Sequence, residues 1–207
     1  MKKGFRNSRT TLVSWQQRPR PATLAAIALI GALAAGAANA TDWPVAGQNL
    51  HNTRNAPDET AIGVDNVAKL APRWTLDTDG EVTATPTVVA GVVYVPDFGG
   101  TLWAVDAATG AVKWHRKVSE YSGVPNDASR TSPAWWAGTL VIGQGTQVTN
   151  NPSGAFMLGI NAADGAPLWR TMVEADRTAV ITSSPVVDNG VVYDGVASRA
   201  EMINEIP

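Results

Sequence analysis

Cysteine is absent from all 207 residues, and histidine occurs only twice. Without cysteine the chain can form no disulfide, no thiolate zinc site, no haem attachment through a Cys-x-x-Cys-His motif and no lipid anchor on a leading cysteine. His51 and His115 are too few to build a histidine metal site or a histidine-dependent nucleophilic triad, and we assign both to loops or strand ends. These classes of site are therefore excluded.

Basic residues are scarce beyond the first 40 positions. Six of the 16 lysine and arginine residues lie in that leader, together with none of the 18 acidic residues. Residues 41–207 therefore carry ten basic and 18 acidic side chains, a net charge of −8. This charge argues against nucleic acid or an anionic membrane as a partner.

The leader has the three parts of a secretory signal peptide. Its basic start is followed by a stretch rich in Ala, Leu and Ile from about residue 22 to 38, and then by the small-x-small sequence Ala38-Asn39-Ala40. The alternative is an uncleaved membrane anchor, but a spanning helix needs about 20 strongly apolar residues. There is no Arg-Arg pair to support a twin-arginine route. We expect cleavage before Thr41, a periplasmic location and no stable membrane anchor.

Long apolar segments of helical period are missing from residues 41–207, which instead contain a repeat. Copies begin at residues 85, 132 and 184, and in each a proline is followed five positions later by glycine. Two copies end alike, at 104–114 and 159–169, where a tryptophan follows a glycine by four positions. A repeat of this size with strand patterns and one late tryptophan per unit is typical of β-propeller blades.

The units predict blades of four strands. Val, Tyr, Trp and Thr dominate the predicted strands, and Gly or Asp occupies the turns. In the first unit these strands are predicted at residues 85–90, 92–96, 101–106 and 111–116.

The later units follow the same plan. The second unit runs from about 131 to 171, with its middle hairpin lengthened by eight residues at 145–154. The third supplies two strands, at about 184–188 and 191–196. Residues 71–76 resemble the last strand of a blade, and we expect them to complete the final blade of a ring.

The predicted fold is all-β, a partial propeller of about two and a half four-stranded blades. Propellers close with typically four to eight blades, so no ring closes from this chain alone. We interpret residues 1–40 as a signal peptide outside the fold and 41–207 as the N-terminal portion of a longer propeller, or the product of a premature stop. Its blades are expected at about 85–116 and 131–171, with a partial blade at 182–207.

Several short motifs resemble the polyvinyl alcohol dehydrogenase branch of the quinoprotein alcohol dehydrogenases that depend on pyrroloquinoline quinone (PQQ). The Ala-x-Asp-x-x-Thr-Gly-x-x-x-Trp unit at 104–114 is similar to that family's tryptophan-docking repeat, although propellers without a quinone share it. The more specific motifs are Asp42-Trp43-Pro44, Gly47-Gln48-Asn49-Leu50, Asn52-Thr53-Arg54-Asn55, Leu70-Ala71-Pro72-Arg73-Trp74, Ser129-Arg130-Thr131-Ser132-Pro133 and Ile181-Thr182-Ser183-Ser184-Pro185.

The resemblance implies an eight-bladed propeller that holds PQQ and a divalent ion, usually Ca²⁺, on its axis. Such proteins oxidise alcohols to carbonyls and pass electrons to a cytochrome c. By the same resemblance Arg130 meets a quinone carboxylate, Thr182 and Ser198 bind the cofactor, and Glu201 binds the metal. A planar cation suits a tricarboxylate, and Ca²⁺ prefers carboxylate oxygen. The alternatives are a surface ion pair for Arg130 and a solvated charge for Glu201.

The sequence also departs from the family pattern. It has Ala197-Ser198 and Glu201-Met202 where the family usually has two serines and paired glutamates. The family's general base, its other metal ligands and its cofactor-stacking tryptophan correspond to blades beyond Pro207. We therefore name no catalytic residue, and expect weak cofactor and metal binding and no turnover by the isolated chain.

The alternative function is a non-enzymatic propeller that uses the same repeat as a protein-interaction scaffold in the cell envelope. The missing lipid-anchor cysteine argues against the best-known scaffold of this kind, while the four candidate residues favour the dehydrogenase.

Overall fold

A computed structural model describes residues 11–17, 41–145 and 154–200. Within these ranges the chain is built of strands, with one five-residue helix, α1 (Val118–Ser122), and a 3-10 turn at Val67–Lys69. The strands are β1 (Thr11–Gln17), β2 (Leu70–Asp77), β3 (Thr87–Val89), β4 (Val92–Pro96), β5 (Thr101–Asp106), β6 (Val112–Lys117), β7 (Ala134–Trp136), β8 (Thr139–Gly143), β9 (Ala155–Asn161), β10 (Pro167–Glu174), β11 (Ala179–Ile181), β12 (Val186–Asp188), β13 (Val191–Tyr193) and β14 (Val196–Ser198).

The first predicted blade is confirmed as a four-stranded antiparallel sheet in the order β3-β4-β5-β6. The bounds of β4 and β5 are those expected from the sequence. The turn between β3 and β4 requires positive φ at Ala90 (49°) and Gly91 (74°), which explains why each repeat has a glycine at this point.

The second blade has the same order, β7-β8-β9-β10. Trp135 and Trp136 lie in its first strand, β7, opposite Leu140 and Thr139. The lengthened hairpin falls between β8 and β9, and residues 146–153 of it lie outside the described residues.

The third unit forms two separate strand pairs. β12 and β13 are the hairpin expected from the repeat. β11 and β14 flank that hairpin and pair with each other, with Ala179 opposite Ser198 and Ile181 opposite Val196. This second pair is not predicted, because three-residue strands carry little pattern. Residues 201–207, the end of the expected partial blade, lie outside the described residues.

β2 is paired differently from the expectation. It lies antiparallel to β1, which comes from within the predicted signal peptide, with a register shift between Ser14 and Trp15. The expectation placed residues 1–40 outside the fold and left β2 for the last blade of a ring. An unpaired strand edge readily accepts another strand, which accounts for this pairing.

The core consists of two main layers between successive sheets. Leu102, Leu140, Ile142, Phe156 and Leu158 are buried between the first and second blades. On the opposite face of the second sheet, Val141 and Met157 are buried against Ile181 of the third unit and Val45 of the N-terminal segment. The alternation of Leu140, Val141 and Ile142 between the two layers is that of a strand buried on both faces.

Candidate functional site

The candidate residues lie on segments that emerge at one end of the sheets. In a four-stranded meander the segment entering the first strand and the turn between the second and third strands lie at the same end. We call this end the loop face and define it by the turn 97–100, the segments 123–133 and 175–185, and residues 194–200. Arg130, Thr182 and Ser198 all belong to it, whereas Glu201 lies outside the described residues.

Arg130 is presented to solvent by two buried neighbours. The Ser129 hydroxyl donates to the Gly143 carbonyl at 2.7 Å, and the Gly143 N–H donates to the Thr131 hydroxyl at 3.0 Å. Both side chains are buried, so the backbone is fixed and Arg130 between them points outward. The Arg130 guanidinium carbon lies 5.9 Å from the ring centroid of Phe98, within cation–π range.

Thr182 lies beside this arginine because β11 is joined to the end of β8. The Ile181 N–H donates to the Gln144 carbonyl at 3.1 Å. A β-carbon on Gly145 would lie 3.1 Å from the Ile181 carbonyl oxygen and 3.5 Å from Arg130 Cγ. Ile181 is buried and Thr182, the next residue, is exposed on the loop face. Arg130 and Thr182 therefore border the same space.

Ser198 and Arg199 follow at the end of β14. The hydroxyls of Ser198 and Thr178 are hydrogen-bonded at 2.9 Å, and the Arg199 N–H donates to the Thr178 carbonyl at 2.9 Å. The pKa of the Arg199 guanidinium lies below its usual value, first because it is desolvated and second because the charge of Arg130 is close. The loop face therefore carries both Arg130 and Arg199.

Arg199 and Phe98 are site residues that the sequence reasoning missed. Arg199 lies between Ser198 and Glu201, and it is one of ten basic residues in an acidic chain, which is a signal that could have identified it. Phe98 carried no such signal, because its place depends on the packing of the first blade against the second.

A second polar cluster on the same end is structural. The carboxylate of Asp97, which is buried, accepts hydrogen bonds from the Trp103 indole at 2.7 Å and from the N–H groups of Asp79 and Thr101 at 3.0 Å each. Asp79 in turn accepts from Lys117 Nζ at 2.8 Å and from the Thr101 hydroxyl at 2.6 Å. Both of these bonds lower the pKa of Asp79. These contacts tie the turn 97–100 to β6.

The described residues form a site suited to an anion, and they do not include a metal site. No group of three or more His, Asp or Glu side chains able to hold a metal ion occurs in the described ranges. The guanidinium groups of Arg130 and Arg199 are donors of the kind that carboxylates require, and Thr182 beside Arg130 is exposed. The Ser198 hydroxyl is already hydrogen-bonded to the Thr178 hydroxyl and accepts from the Ala200 N–H. In the same part of the chain no helix is long and apolar enough to cross a membrane.

Comparison with known proteins gives a family and several partial relatives. The model of the PQQ_2 family, whose description reads "Outer membrane protein assembly factor BamB", matches residues 58–200. A polyvinylalcohol dehydrogenase of Sphingopyxis sp. is 26% identical over 147 residues, which is 71% of this chain and 21% of that protein. An outer membrane protein assembly factor BamB of Moranella endobia is 29% identical over 127 residues, 58% of this chain and 30% of that protein.

A solved structure shares the arrangement of the strands. The quinohemoprotein alcohol dehydrogenase ADHIIG of Pseudomonas putida superimposes with a TM-score of 0.62 at 27% sequence identity, over 76% of this chain and 23% of that one. The chain spans less than a third of the length of each of these relatives.

Proposed function

This chain belongs to the PQQ_2 family of propeller repeats, and we propose that its loop face binds the carboxylates of PQQ as part of a periplasmic alcohol dehydrogenase. The predicted resemblance to PQQ-dependent alcohol dehydrogenases holds over a part of their length. The binding of PQQ, the oxidation of an alcohol and the export to the periplasm are all parts of this proposal.

The observation that carries the proposal is that Arg130 and Arg199 lie on one face, Arg130 beside the end of β11 and Arg199 bonded through its N–H to the Thr178 carbonyl just before β11. Two like charges repel each other, so their proximity costs free energy unless an anion lies between them. Neither forms an ion pair with a carboxylate in the described part of the chain, where the salt bridges are Arg116–Glu120 and Lys117–Asp79. A ligand with several carboxylates would neutralise both arginines.

The chain's own residues would bind and orient the cofactor. The backbone of Arg130 is held by the buried Ser129 and Thr131, and its guanidinium, which lies over the Phe98 ring, would meet one carboxylate. Arg199 would meet a second, and the hydroxyls of Thr182 and Ser198 would hydrogen-bond polar atoms on the ligand. When bound, PQQ supplies the quinone that accepts hydride from an alcohol. A cytochrome c is the proposed electron acceptor.

Few residues of this chain are assigned to Ca²⁺ binding or to proton transfer. Glu201 is the proposed carboxylate ligand for Ca²⁺. No general base is assigned to any residue of the chain, so we expect no alcohol oxidation by the chain alone.

A second candidate function is a non-enzymatic scaffold in the cell envelope. The description of the matching family model favours it, and so do the exposed apolar side chains of β10, which include Trp169 and Met172. A scaffold would have no affinity for a quinone.

Equilibrium dialysis of PQQ against the chain in the presence of Ca²⁺ separates the two functions. We expect weak, saturable binding by the wild-type chain, and a loss of about tenfold or more in affinity for Arg130→Gln, because a charge-assisted hydrogen bond is removed. Arg73→Gln, at an exposed arginine on β2, is the matched control and should bind as the wild type does. Absence of saturable binding, or equal binding by Arg130→Gln, would favour the scaffold.

A further inference from the structure

An aromatic ring of the first blade lies beside Arg130 on the loop face. The guanidinium carbon of Arg130 is 5.9 Å from the centroid of the Phe98 ring. Arg130 is exposed, whereas Phe98 is half-buried. A cation within about 6 Å of the centre of an aromatic ring is attracted to the negative face of that ring. The contact therefore favours one placement of an exposed arginine side chain that would otherwise sample many rotamers.

The turn that carries Phe98 is packed tightly against the segment before β3. The Phe98 N–H donates to the Glu81 carbonyl at 2.9 Å. A β-carbon on Gly99 would lie 2.5 Å from the carbonyl carbon of Asp79, and one on Gly80 would overlap the Gly99 nitrogen. The two backbones therefore meet with no room for a side chain between them. This contact fixes the backbone from which the Phe98 ring projects.

The same turn also contacts the segment that carries Arg130. A β-carbon on Gly100 would lie 2.6 Å from the Asp127 carbonyl oxygen. The Gly100 carbonyl accepts from the Val118 N–H at 2.8 Å, at the start of α1. Asp127 lies three residues before Arg130. Phe98 and Arg130 are therefore carried by two segments whose backbones are in contact.

The stem of Arg130 has a close neighbour as well. A β-carbon on Gly145 would lie 3.5 Å from Arg130 Cγ and 3.6 Å from the Arg130 nitrogen. Gly145 is itself held, because its N–H donates to the Ala128 carbonyl at 2.9 Å. In the described ranges no carboxylate forms a salt bridge with Arg130. The ring of Phe98 is therefore the contact that orders the guanidinium end of this side chain.

We propose that Phe98 is a positioning residue, whose ring holds the Arg130 guanidinium in the orientation that binds a carboxylate of the ligand. The inference rests on the proposed binding of PQQ to the loop face. A carboxylate in the place of Phe98 would also order the arginine, but it would accept hydrogen bonds from the guanidinium N–H groups. An aromatic face attracts the cation and leaves those donors to the ligand. Side-chain entropy that is lost before binding is not lost on binding, so the ring increases the affinity without touching the ligand.

Two substitutions separate the ring from the volume of the side chain. Phe98→Leu removes the ring and keeps an apolar side chain, whereas Phe98→Tyr keeps the ring. Tyr193→Leu removes an aromatic ring of the third unit that is 57% exposed, and it serves as the matched control. Each variant is made in the full chain, and Phe98→Leu is also combined with Arg130→Gln.

The first measurement needs no ligand. The Nε–H signal of Arg130 in ¹H–¹⁵N spectra is identified by its loss in Arg130→Gln. The ring current of Phe98 should displace this signal, so Phe98→Leu should move it to the position of an arginine without a neighbouring ring. Phe98→Tyr and Tyr193→Leu should leave it in place. An Arg130 signal that is the same in wild type and Phe98→Leu would overturn the proposal.

The second measurement is the affinity for PQQ, by equilibrium dialysis in the presence of Ca²⁺. Phe98→Leu should weaken binding about two- to fivefold, which corresponds to the strength of an exposed cation–π contact. Phe98→Tyr and Tyr193→Leu should bind as the wild type does. In the Arg130→Gln background, Phe98→Leu should have no further effect, because the ring acts through the arginine.

The double variant distinguishes positioning from other roles of the ring. Equal weakening by Phe98→Leu in both backgrounds would mean that Phe98 serves the fold or contacts the ligand itself, and would overturn the proposal. Unchanged affinity of Phe98→Leu in the wild-type background would also overturn it. If the wild type binds no PQQ, the proposed function fails, and the Arg130 signal alone decides whether Phe98 positions this arginine.

Discussion

The indole of Trp114 lies against the α-carbon of Gly165 in the next blade, so that a β-carbon on Gly165 would be 2.7 Å from Trp114 Cε3. Trp74 has the same relationship to Gly110. Each tryptophan also donates to an alanine carbonyl of the neighbouring unit. The blades are therefore joined by a contact that requires glycine for two reasons, the positive φ and the space taken by the ring.

Gly165→Ala should destabilise the protein more than Gly138→Ala does. Both positions have positive φ, 73° and 82°, and share a conformational cost of about 1–2 kcal/mol for an L-residue. Only Gly165 faces an indole, whereas nothing lies within 4 Å of a β-carbon on Gly138. Overpacking adds about 1–3 kcal/mol. Urea unfolding of both variants measures the difference in their free energies of unfolding. Equal losses of stability would show that the indole contact adds nothing to the cost of alanine at position 165.

Asp97→Ala should lower the free energy of unfolding by about 2–3 kcal/mol, because three donors lose a charged acceptor in a buried place. Asp58→Ala, at an exposed turn residue, is the control and should change it by less than about 0.5 kcal/mol. Chemical denaturation of the two variants tests this. A loss at Asp97 no larger than that at Asp58 would mean that the cluster does not hold the turn 97–100.

Asp194→Asn should change the pH dependence of stability. Desolvation beside the apolar groove raises the pKa of Asp194 above its ordinary value of 3.8, although the Ser183 hydroxyl and the Gly195 N–H both donate to it. The folded state therefore holds this proton more tightly than the unfolded state does, and stability falls as the pH rises through that window. Asparagine has no charge to desolvate.

The free energy of unfolding of Asp194→Asn should accordingly rise relative to wild type as the pH rises above about 4. Asp188→Asn, at the exposed end of β12, is the control in the same unit. Thermal or urea unfolding at a series of pH values gives both curves. A constant difference between Asp194→Asn and wild type at all pH values would contradict the assignment.

Arg199→Gln should weaken PQQ binding by about tenfold, because one of two guanidinium groups on the loop face is removed. Relief of the repulsion from Arg130 should at the same time leave the stability of the free chain unchanged or slightly higher. Dialysis and urea unfolding give the two readouts. A loss of stability together with unchanged binding would show that Arg199 serves the fold instead of the ligand.

The repeat was sufficient to predict the two blades, because the period, the turn glycines and the late tryptophans are local sequence signals. The pairing of β11 with β14 was not predictable, since each has three residues and the contact depends on the hairpin between them. The pairing of β2 with β1 also depends on a free strand edge, which a sequence pattern does not show.

Candidates for the site came from the resemblance, whereas contacts between units leave no local signal in the sequence. The resemblance pointed to Arg130, Thr182 and Ser198, and the segments that carry them do lie on one face. Arg199 is not part of a repeat motif. Its position on the same face as Arg130 follows from how the third unit packs on the second. Their roles toward a cofactor stay predictions.

The most direct test of the account compares the binding of PQQ with that of its trimethyl ester to the chain, in the presence of Ca²⁺, by equilibrium dialysis. The two ligands share the quinone ring system and differ in the carboxylates that Arg130 and Arg199 are proposed to meet. We predict that the free acid binds at least about tenfold more tightly, and that Arg130→Gln removes most of this preference. Equal affinities for the acid and the ester, or no binding of the acid at millimolar concentration, would contradict a carboxylate-binding loop face.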